Sequence, residues 1–254
     1  RQKLVSWMEF LELAQYFTYE MIKEQNEGKT DSTPDPAMID MFNAMVDEMF
    51  DYGRFILKSK RQNPSEDLLS AIANAKIGDE KLTDEFLDGS WLLIIFAGND
   101  TTRNTMSGGI KLLHENQSQK DLLMNNLDLL PNFINETVRC VSPVIHMRRT
   151  SLEEAEINGQ KIGPYEKISL WYGAANRDPD IFENPDEFNI LRENADKHLA
   201  FGIGRHTCLG KPVALMQLKE FYSQFLTRFK DFEMNGYWKV APNNFVHAIQ
   251  EMPI

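Results

Sequence analysis

Phe201-Gly202-Ile203-Gly204-Arg205-His206-Thr207-Cys208-Leu209-Gly210, followed directly by Lys211-Pro212, is the stretch on which the reading of this chain turns. From Val213 onward, Leu215, Leu218, Phe221, Tyr222, Phe225, Leu226 and Phe229 recur at three- and four-residue steps. That spacing predicts an amphipathic helix over about 212–229, with Pro212 in its first turn. Cys208 therefore stands just before a helix N-terminus, where unsatisfied N–H groups and the positive end of the dipole favour an anionic sulfur. Glycines at 202, 204 and 210 let backbone approach that sulfur closely. An isolated cysteine is most often a small buried hydrophobe. The rest of the chain has to decide between the two readings.

The 254 residues are enough for one large domain or two ordinary ones with a real core. Apolar residues make up 42% and charged residues 26%, the composition of a globular protein. The longest apolar run, Trp91 to Ala97, is far too short to span a bilayer, so no membrane segment is expected. The only cysteines are Cys140 and Cys208, so no disulfide framework is indicated, and no second cysteine lies beside Cys208 to make a zinc pair. A net charge of −11 argues against nucleic acid or an anionic membrane surface as partner. Locally the balance reverses: Lys197, Arg205, Lys211, Lys219, Arg228 and Lys230 face a single acid, Glu220.

Helical spacing is expected to about residue 27 (Leu4, Trp7, Met8, Leu11, Ala14, Phe17, Met21, Ile22) and again from Met38 to Ile56, with a Thr/Asp/Ser/Pro loop between. Methionines 38, 41, 45 and 49 read first as core filling and second as a pliable apolar lid. A short helix is expected over 66–75. Thr83 then caps the longest helix, over about 84–114, which at the standard rise spans roughly 45 Å. Its Trp91 to Ala97 section is apolar all round, as in a buried helix, yet it runs into Gly98-Asn99-Asp100-Thr101-Thr102. An acid and hydroxyls buried there need partners or a use. A further helix is expected over about 122–141, and short strands over 155–158, 160–162 and 167–172, with Asn158-Gly159 as a hairpin turn.

The pattern Phe-Gly-x-Gly-x-His-x-Cys-x-Gly at 201–210 resembles the haem-ligand loop of the cytochrome P450 family, the haem-thiolate monooxygenases. Ala97-Gly98-Asn99-Asp100-Thr101-Thr102 is similar to that family's oxygen-activation motif, and Glu136-Thr137-Val138-Arg139 to its Glu-x-x-Arg core. The resemblance implies a mainly α fold with small β-sheets, the C-terminal portion of the P450 fold, with the long central helix over a haem. Residues 1–61 would be the lid helices, and the family's N-terminal helices and most of its first sheet would fall outside the chain.

It also implies roles. Cys208 would be the iron ligand of haem b, with Phe201, Gly202 and Gly210 shaping its loop. Ala97 and Gly98 would make room beside the iron, and Asp100 and Thr101 would deliver the protons that O–O cleavage needs. Members of a peroxide-using branch carry Arg and Pro in place of that acid and alcohol. Arg148, chosen by its spacing from Arg139 over Arg149, would bind a haem propionate, as would His206. Glu136 and Arg139 would form the structural core. Many members have an arginine at the position of Glu187, so the usual third partner of that pair is in question, with Arg192 as a substitute. Phe96, Val144, Ile145 and Val246 are candidates for the substrate pocket.

The expected function is a monooxygenase acting on an apolar substrate with O2, with electrons ultimately from NAD(P)H through a ferredoxin-type partner and its reductase. The stretches 98–109, 146–150 and 244–253 look most like bacterial branches that oxidise terminal carbons of sterol side chains, alkanes, fatty acids or terpenoids, a resemblance that implies a cytoplasmic location. Competing readings are a non-catalytic haem-thiolate binder, an inactive truncated relic and a cofactor-free helical interaction protein. Asp100-Thr101 discriminates against a sensor, which has no need of a proton relay.

Overall fold

A computed structural model describes residues 3, 4, 6, 7, 27, 28, 35–241, 243 and 245–254. The helix expected up to about residue 27 lies almost wholly outside the described residues. The chain divides into two compact units, Arg1–Asn99 and Asp100–Ile254.

In the first unit α1 (Pro36–Gln62) starts where Asp35 accepts the Ala37 N–H and Pro36 supplies a preset φ. It is followed by α2 (Leu68–Ala73), capped by Asp67, and by a small hairpin, β1 (Lys76–Ile77) with β2 (Glu80–Lys81). The Arg61 guanidinium ties these pieces together through the carbonyls of Ala73 and Leu82 at 2.8 and 2.6 Å. The core is Trp7, Met49, Leu57, Ala73, Leu87 and Trp91. Trp91 donates to the Met49 carbonyl at 3.0 Å. Of the methionines at 38, 41, 45 and 49, only Met49 is buried, and Met41 is exposed.

Helix α3 (Asp84–Glu115) runs unbroken from the first unit into the second. The Trp91 to Ala97 section is not buried all round: Leu93 and Ala97 are exposed, because the described residues of its unit pack against one side of the helix, at Trp91.

The second unit continues with α4 (Gln117–Asn125), a 3-10 turn at Leu127–Leu129, and α5 (Leu130–Val141). The single helix expected over 122–141 is thus two. Pro131 cannot donate an N–H and its ring would meet the carbonyl four residues back, while Asn126 takes an extended conformation and its side chain accepts the Asp128 N–H at 3.1 Å. After α5 come β3 (His146–Thr150), β4 (Ala155–Ile157), β5 (Gln160–Ile162), β6 (Lys167–Trp171), α6 (Tyr172–Ala175), α7 (Lys211–Arg228), β7 (Lys239–Ala241) and β8 (Ala248–Glu251). Sheets are two-stranded and antiparallel: β3 with β6, β4 with β5, β7 with β8. Asn158 and Gly159 turn the β4–β5 hairpin with φ of 49° and 78°, the positive values that a type I′ turn requires.

Packing of α3, α5 and α7 forms the second core, centred on Phe133, Leu218, Tyr222 and Leu226. Phe133 meets Tyr222 edge to face at 4.8 Å, and the Tyr222 hydroxyl donates to the Thr105 carbonyl at 2.8 Å. Close approach of the helices needs Gly109: a Cβ there would lie 2.0 Å from the Tyr222 hydroxyl oxygen and 2.9 Å from Thr137 Cγ2. Gly109→Ala should therefore lower unfolding stability by about 1–3 kcal/mol, measured by urea titration. Gly89→Ala, on the same helix with nothing within 4 Å of the new carbon, should be neutral or stabilising. Equal effects of the two would contradict this packing.

Candidate functional site

The buried pair in α5 anchors the site. The Arg139 guanidinium grips the Glu136 carboxylate through Nε at 2.7 Å and Nη2 at 2.8 Å, and neither side chain touches solvent. Its remaining donors go to backbone carbonyls of the irregular segment after α6: Asn176 at 2.8 Å, Pro185 at 2.7 Å and Glu187 at 3.0 Å. Burial is the largest single influence and works against the Arg139 charge, but the Glu136 hydrogen bonds together with the negative charges nearby outweigh it and hold the guanidinium above its ordinary pKa. The third partner is Arg192, whose Nε donates to Glu136 at 3.1 Å. Glu187 contributes only its carbonyl, accepting from both arginines.

Two cysteines fare differently. Cys140 lies against this network, and burial first, then the Glu136 charge, pushes its thiol up to about 12. Cys208 is exposed and is not bridged to Cys140, since both thiols are free. It lies on the turn that enters α7. Its N–H donates to the Phe201 carbonyl at 2.8 Å, and its own carbonyl accepts the Lys211 N–H at 3.3 Å. Gly202 and Gly204 hold φ of 69° and 72°, left-handed values that favour glycine. A Cβ on Gly202 would sit 3.3 Å from the His206 carbonyl oxygen, and one on Gly210 would sit 3.8 Å from the Cys208 sulfur. The sulfur thus projects from a turn stripped of side chains on its near side, flanked by exposed Ile203 and Leu209. One soft donor with bare backbone and apolar flanks would suit a flat apolar macrocycle with a thiolate-binding metal, such as haem. His206, in the short 3-10 turn Gly204–His206, is exposed.

Upstream, the loop is clamped. Gly202 N–H donates to the Leu199 carbonyl at 2.8 Å, and Leu199 N–H donates to Asn176 Oδ1 at 2.6 Å. His198 is buried, accepts the Ala200 N–H at Nδ1 (3.3 Å) and packs its ring 5.6 Å from that of Phe201. Sequence reasoning missed His198 and did not single out Asn176 for a role; the only signal was their place in the stretch leading to Cys208.

Asp100 and Thr101 are half-buried at the start of the second unit, on α3. Asp100 accepts from Arg103 at 2.9 Å on the same helix, and the Thr101 carbonyl accepts the Thr105 hydroxyl at 2.7 Å. Buried Asn104 was also missed; it accepts the Ile249 N–H at 2.9 Å and fixes β8 to the helix. Ala97 and Gly98 are exposed and Phe96 half-buried, on the part of α3 that belongs to the first unit. Arg148 is exposed on β3, opposite Ser169. Neighbouring Arg149 points to the other face and donates to the Arg148 carbonyl at 2.9 Å. Val144 and Val246 form a β-bridge, and Ile145 N–H donates to the Phe245 carbonyl at 2.8 Å, so three of the four apolar candidates are brought together.

Residues 31–244 match the family model described as Cytochrome P450. Linalool 8-monooxygenase of Pseudomonas putida is 34% identical over 210 residues, which cover 83% of this chain and 52% of that protein. A steroid C26-monooxygenase of Mycobacterium tuberculosis is 35% identical over 207 residues, 80% of this chain and 55% of its own. A solved cytochrome P450-153 from Novosphingobium aromaticivorans superimposes with a TM-score of 0.76 at 34% identity, over 86% of this chain and 54% of that one. The chain spans about half the length of the curated relatives it matches.

The His198 clamp has a pH signature. Burial, then the charge of Lys211, pushes this imidazole down to about 4 from an ordinary 6.5, against smaller opposing effects of Asp196 and Glu136. The unfolded chain therefore binds a proton that the folded chain refuses, so stability is lost as pH falls from about 6.5 to about 4. His198→Phe should flatten that part of the profile by up to about 3 kcal/mol, read as the difference in urea unfolding between neutral pH and about pH 4. A slope untouched by the substitution would refute the clamp.

Proposed function

The chain belongs to the cytochrome P450 family, and from that premise we propose that it works as a haem-dependent monooxygenase with Cys208 as the iron ligand. The observation that carries the reading is the exposed thiol on a glycine-lined turn, its amide held by the Phe201 carbonyl. When bound, the haem supplies dioxygen activation: one oxygen atom enters a substrate C–H bond and the other leaves as water, consuming two electrons and two protons.

The chain's own residues bind and orient. Phe201 and the glycines hold the sulfur and keep side chains away from it. Arg148 and His206 offer the charge-assisted hydrogen bonds that propionates take. Ala97 and Gly98 leave space on α3, Thr101 holds a proton at its hydroxyl, and half-buried Asp100, kept at this turn by Arg103, takes up a proton from solvent and passes it on to replace the one Thr101 gives. Val144, Ile145 and Val246 offer apolar surface to the substrate, with Phe96 a further apolar candidate. The proposed reaction is hydroxylation at a terminal carbon of a sterol side chain, alkane, fatty acid or terpenoid; similarity to the linalool and steroid C26 monooxygenases supports the terpenoid and sterol members of that set.

Two variants test the core of this reading. Cys208→Ala should lose the thiolate-type band of the reduced, carbon-monoxide-treated protein; retention of the band sinks the assignment. Thr101→Ala should keep the band and still consume NAD(P)H and oxygen, but slow proton delivery on the order of a hundredfold, releasing more peroxide and less alcohol. An unchanged ratio of product to reductant would remove Thr101 from the relay.

Electrons would arrive singly from an acidic ferredoxin-type partner, itself reduced from NAD(P)H by its reductase. The basic excess around Cys208 supports this: Arg205, Lys219, Arg228 and Lys230 are exposed, against a net charge of −11 for the chain. Lys211 is half-buried with its amine 5.5 Å from the centre of the Phe201 ring, so it serves the loop as well. Reversing Lys219 and Arg228 to Glu should slow reduction at low salt by about tenfold or more and flatten its dependence on ionic strength, with substrate affinity intact. Equal rates in wild type and variant would place docking elsewhere.

A further inference from the structure

Asn176 has no exposed surface, and every polar group it carries is committed. Its N–H donates to the Tyr172 carbonyl at 2.8 Å, closing α6, and its carbonyl accepts Arg139 Nη1 at 2.8 Å. Side-chain Nδ2 donates to Ser142 Oγ at 2.8 Å, and Oδ1 accepts the Leu199 N–H at 2.6 Å. Ser142, which ends α5 in a left-handed conformation at φ 43°, passes its own hydroxyl hydrogen to the Arg139 carbonyl at 2.9 Å. On the other side, Leu199 accepts the Gly202 N–H and Phe201 accepts the Cys208 N–H, both at 2.8 Å.

A series of hydrogen bonds therefore leads from the buried ion pair to the amide of Cys208, and one side chain bridges the gap in the middle. Most asparagines in irregular segments bond their own neighbourhood. This one joins partners 34 residues back and 23 residues ahead. The position demands an acceptor on one side and a donor on the other, at a side chain with no exposed surface. An amide meets both demands. A carboxylate keeps only the acceptor, and an apolar residue strands the Leu199 N–H, whose desolvation then goes uncompensated.

We propose that Asn176 is a positioning residue for the thiolate loop, setting the placement of Cys208 through the Leu199 amide. The inference rests on Cys208 being the ligand, and it concerns an atom pair that the family assignment does not address. Displacing Leu199 frees the turn whose carbonyls hold Gly202 and Cys208, so the sulfur loses its fixed direction while the distant ion pair stays intact.

Haem-loaded wild type, Asn176→Ala, Asn176→Asp and Ser142→Ala separate the possibilities. The readouts are the thiolate fraction of the reduced carbon-monoxide band, the iron reduction potential, and hydrogen exchange at the Leu199 and Cys208 amides. Asn176→Ala should speed exchange at both amides by about tenfold or more, lower the thiolate fraction and shift the potential. Asn176→Asp keeps the acceptor and should restore the band; Ser142→Ala leaves the Leu199 bond in place and should not lose it. A band and potential unchanged in Asn176→Ala, or lost equally in all three variants, would overturn the inference alone. A wild type without the thiolate band would overturn the ligand reading and this inference with it. Should Asn176→Ala fail to accumulate, wild-type exchange decides together with Asn176→Asp. Core-like protection at Leu199 with the band kept supports positioning, and surface-like exchange there refutes it.

Discussion

Glu136 and Arg139 lie wholly out of water, and moving two charges from solvent carries a penalty on the order of several kcal/mol for each ion before any attraction is counted. What makes the burial tolerable is that nothing in the pair is left over. Both carboxylate oxygens are engaged, Oε1 also taking the Asn189 N–H and the Arg192 guanidinium. The spare Arg139 donors fall on carbonyls at 176, 185 and 187. Those carbonyls belong to a segment with almost no regular structure, which could not satisfy them by helix or sheet pairing. The ion pair therefore does for residues 176–192 what a β-ladder does elsewhere, and the segment in turn sets where the Cys208 loop begins.

How much of this the sequence makes legible follows from how local each feature is. The Cys208 loop is legible because its glycines and cysteine work through their own backbone: the positive φ values at 202 and 204 are properties of those residues in that turn. The long helix is legible because a cap and a 3.6-residue period are local too, and α3 runs over Asp84–Glu115 against an expectation of about 84–114. The pair at 136 and 139 shares one helix face, so spacing alone brings it together. Arg192 needed more. Its partner lies 56 residues earlier, and only the path of the intervening chain decides that it, and not the side chain at 187, completes the site.

Other readings failed for related reasons. The run 122–141 keeps helical periodicity across a break, because periodicity reports which face is buried and is silent about a proline that withholds a hydrogen bond at the start of α5. Leu93 is apolar yet exposed, since an all-round apolar stretch states a requirement for neighbours without supplying them. His198 and Asn176 are short polar residues in a stretch that reads as loop, and their roles come from the carbonyls and amides that tertiary structure brings to them.

The two thiols show most directly why placement, not residue type, carries the chemistry. Cys140 and Cys208 are the same side chain in the same chain, and each lies near a positively charged neighbour in sequence. Cys140 sits beside a carboxylate in a dry core, where a second negative charge would be opposed by burial and by Glu136 together, and its pKa near 12 keeps the proton on sulfur. Cys208 sits in the open where α7 begins, with no acid in its turn and with backbone N–H groups at the helix start. Burial therefore leaves the first cysteine inert, while its place on the open turn leaves the second accessible. The buried acid that anchors the irregular segment thus also separates the two sulfurs: through Arg139 and Asn176 it helps hold the loop of Cys208, and through its charge it disfavours the thiolate at 140.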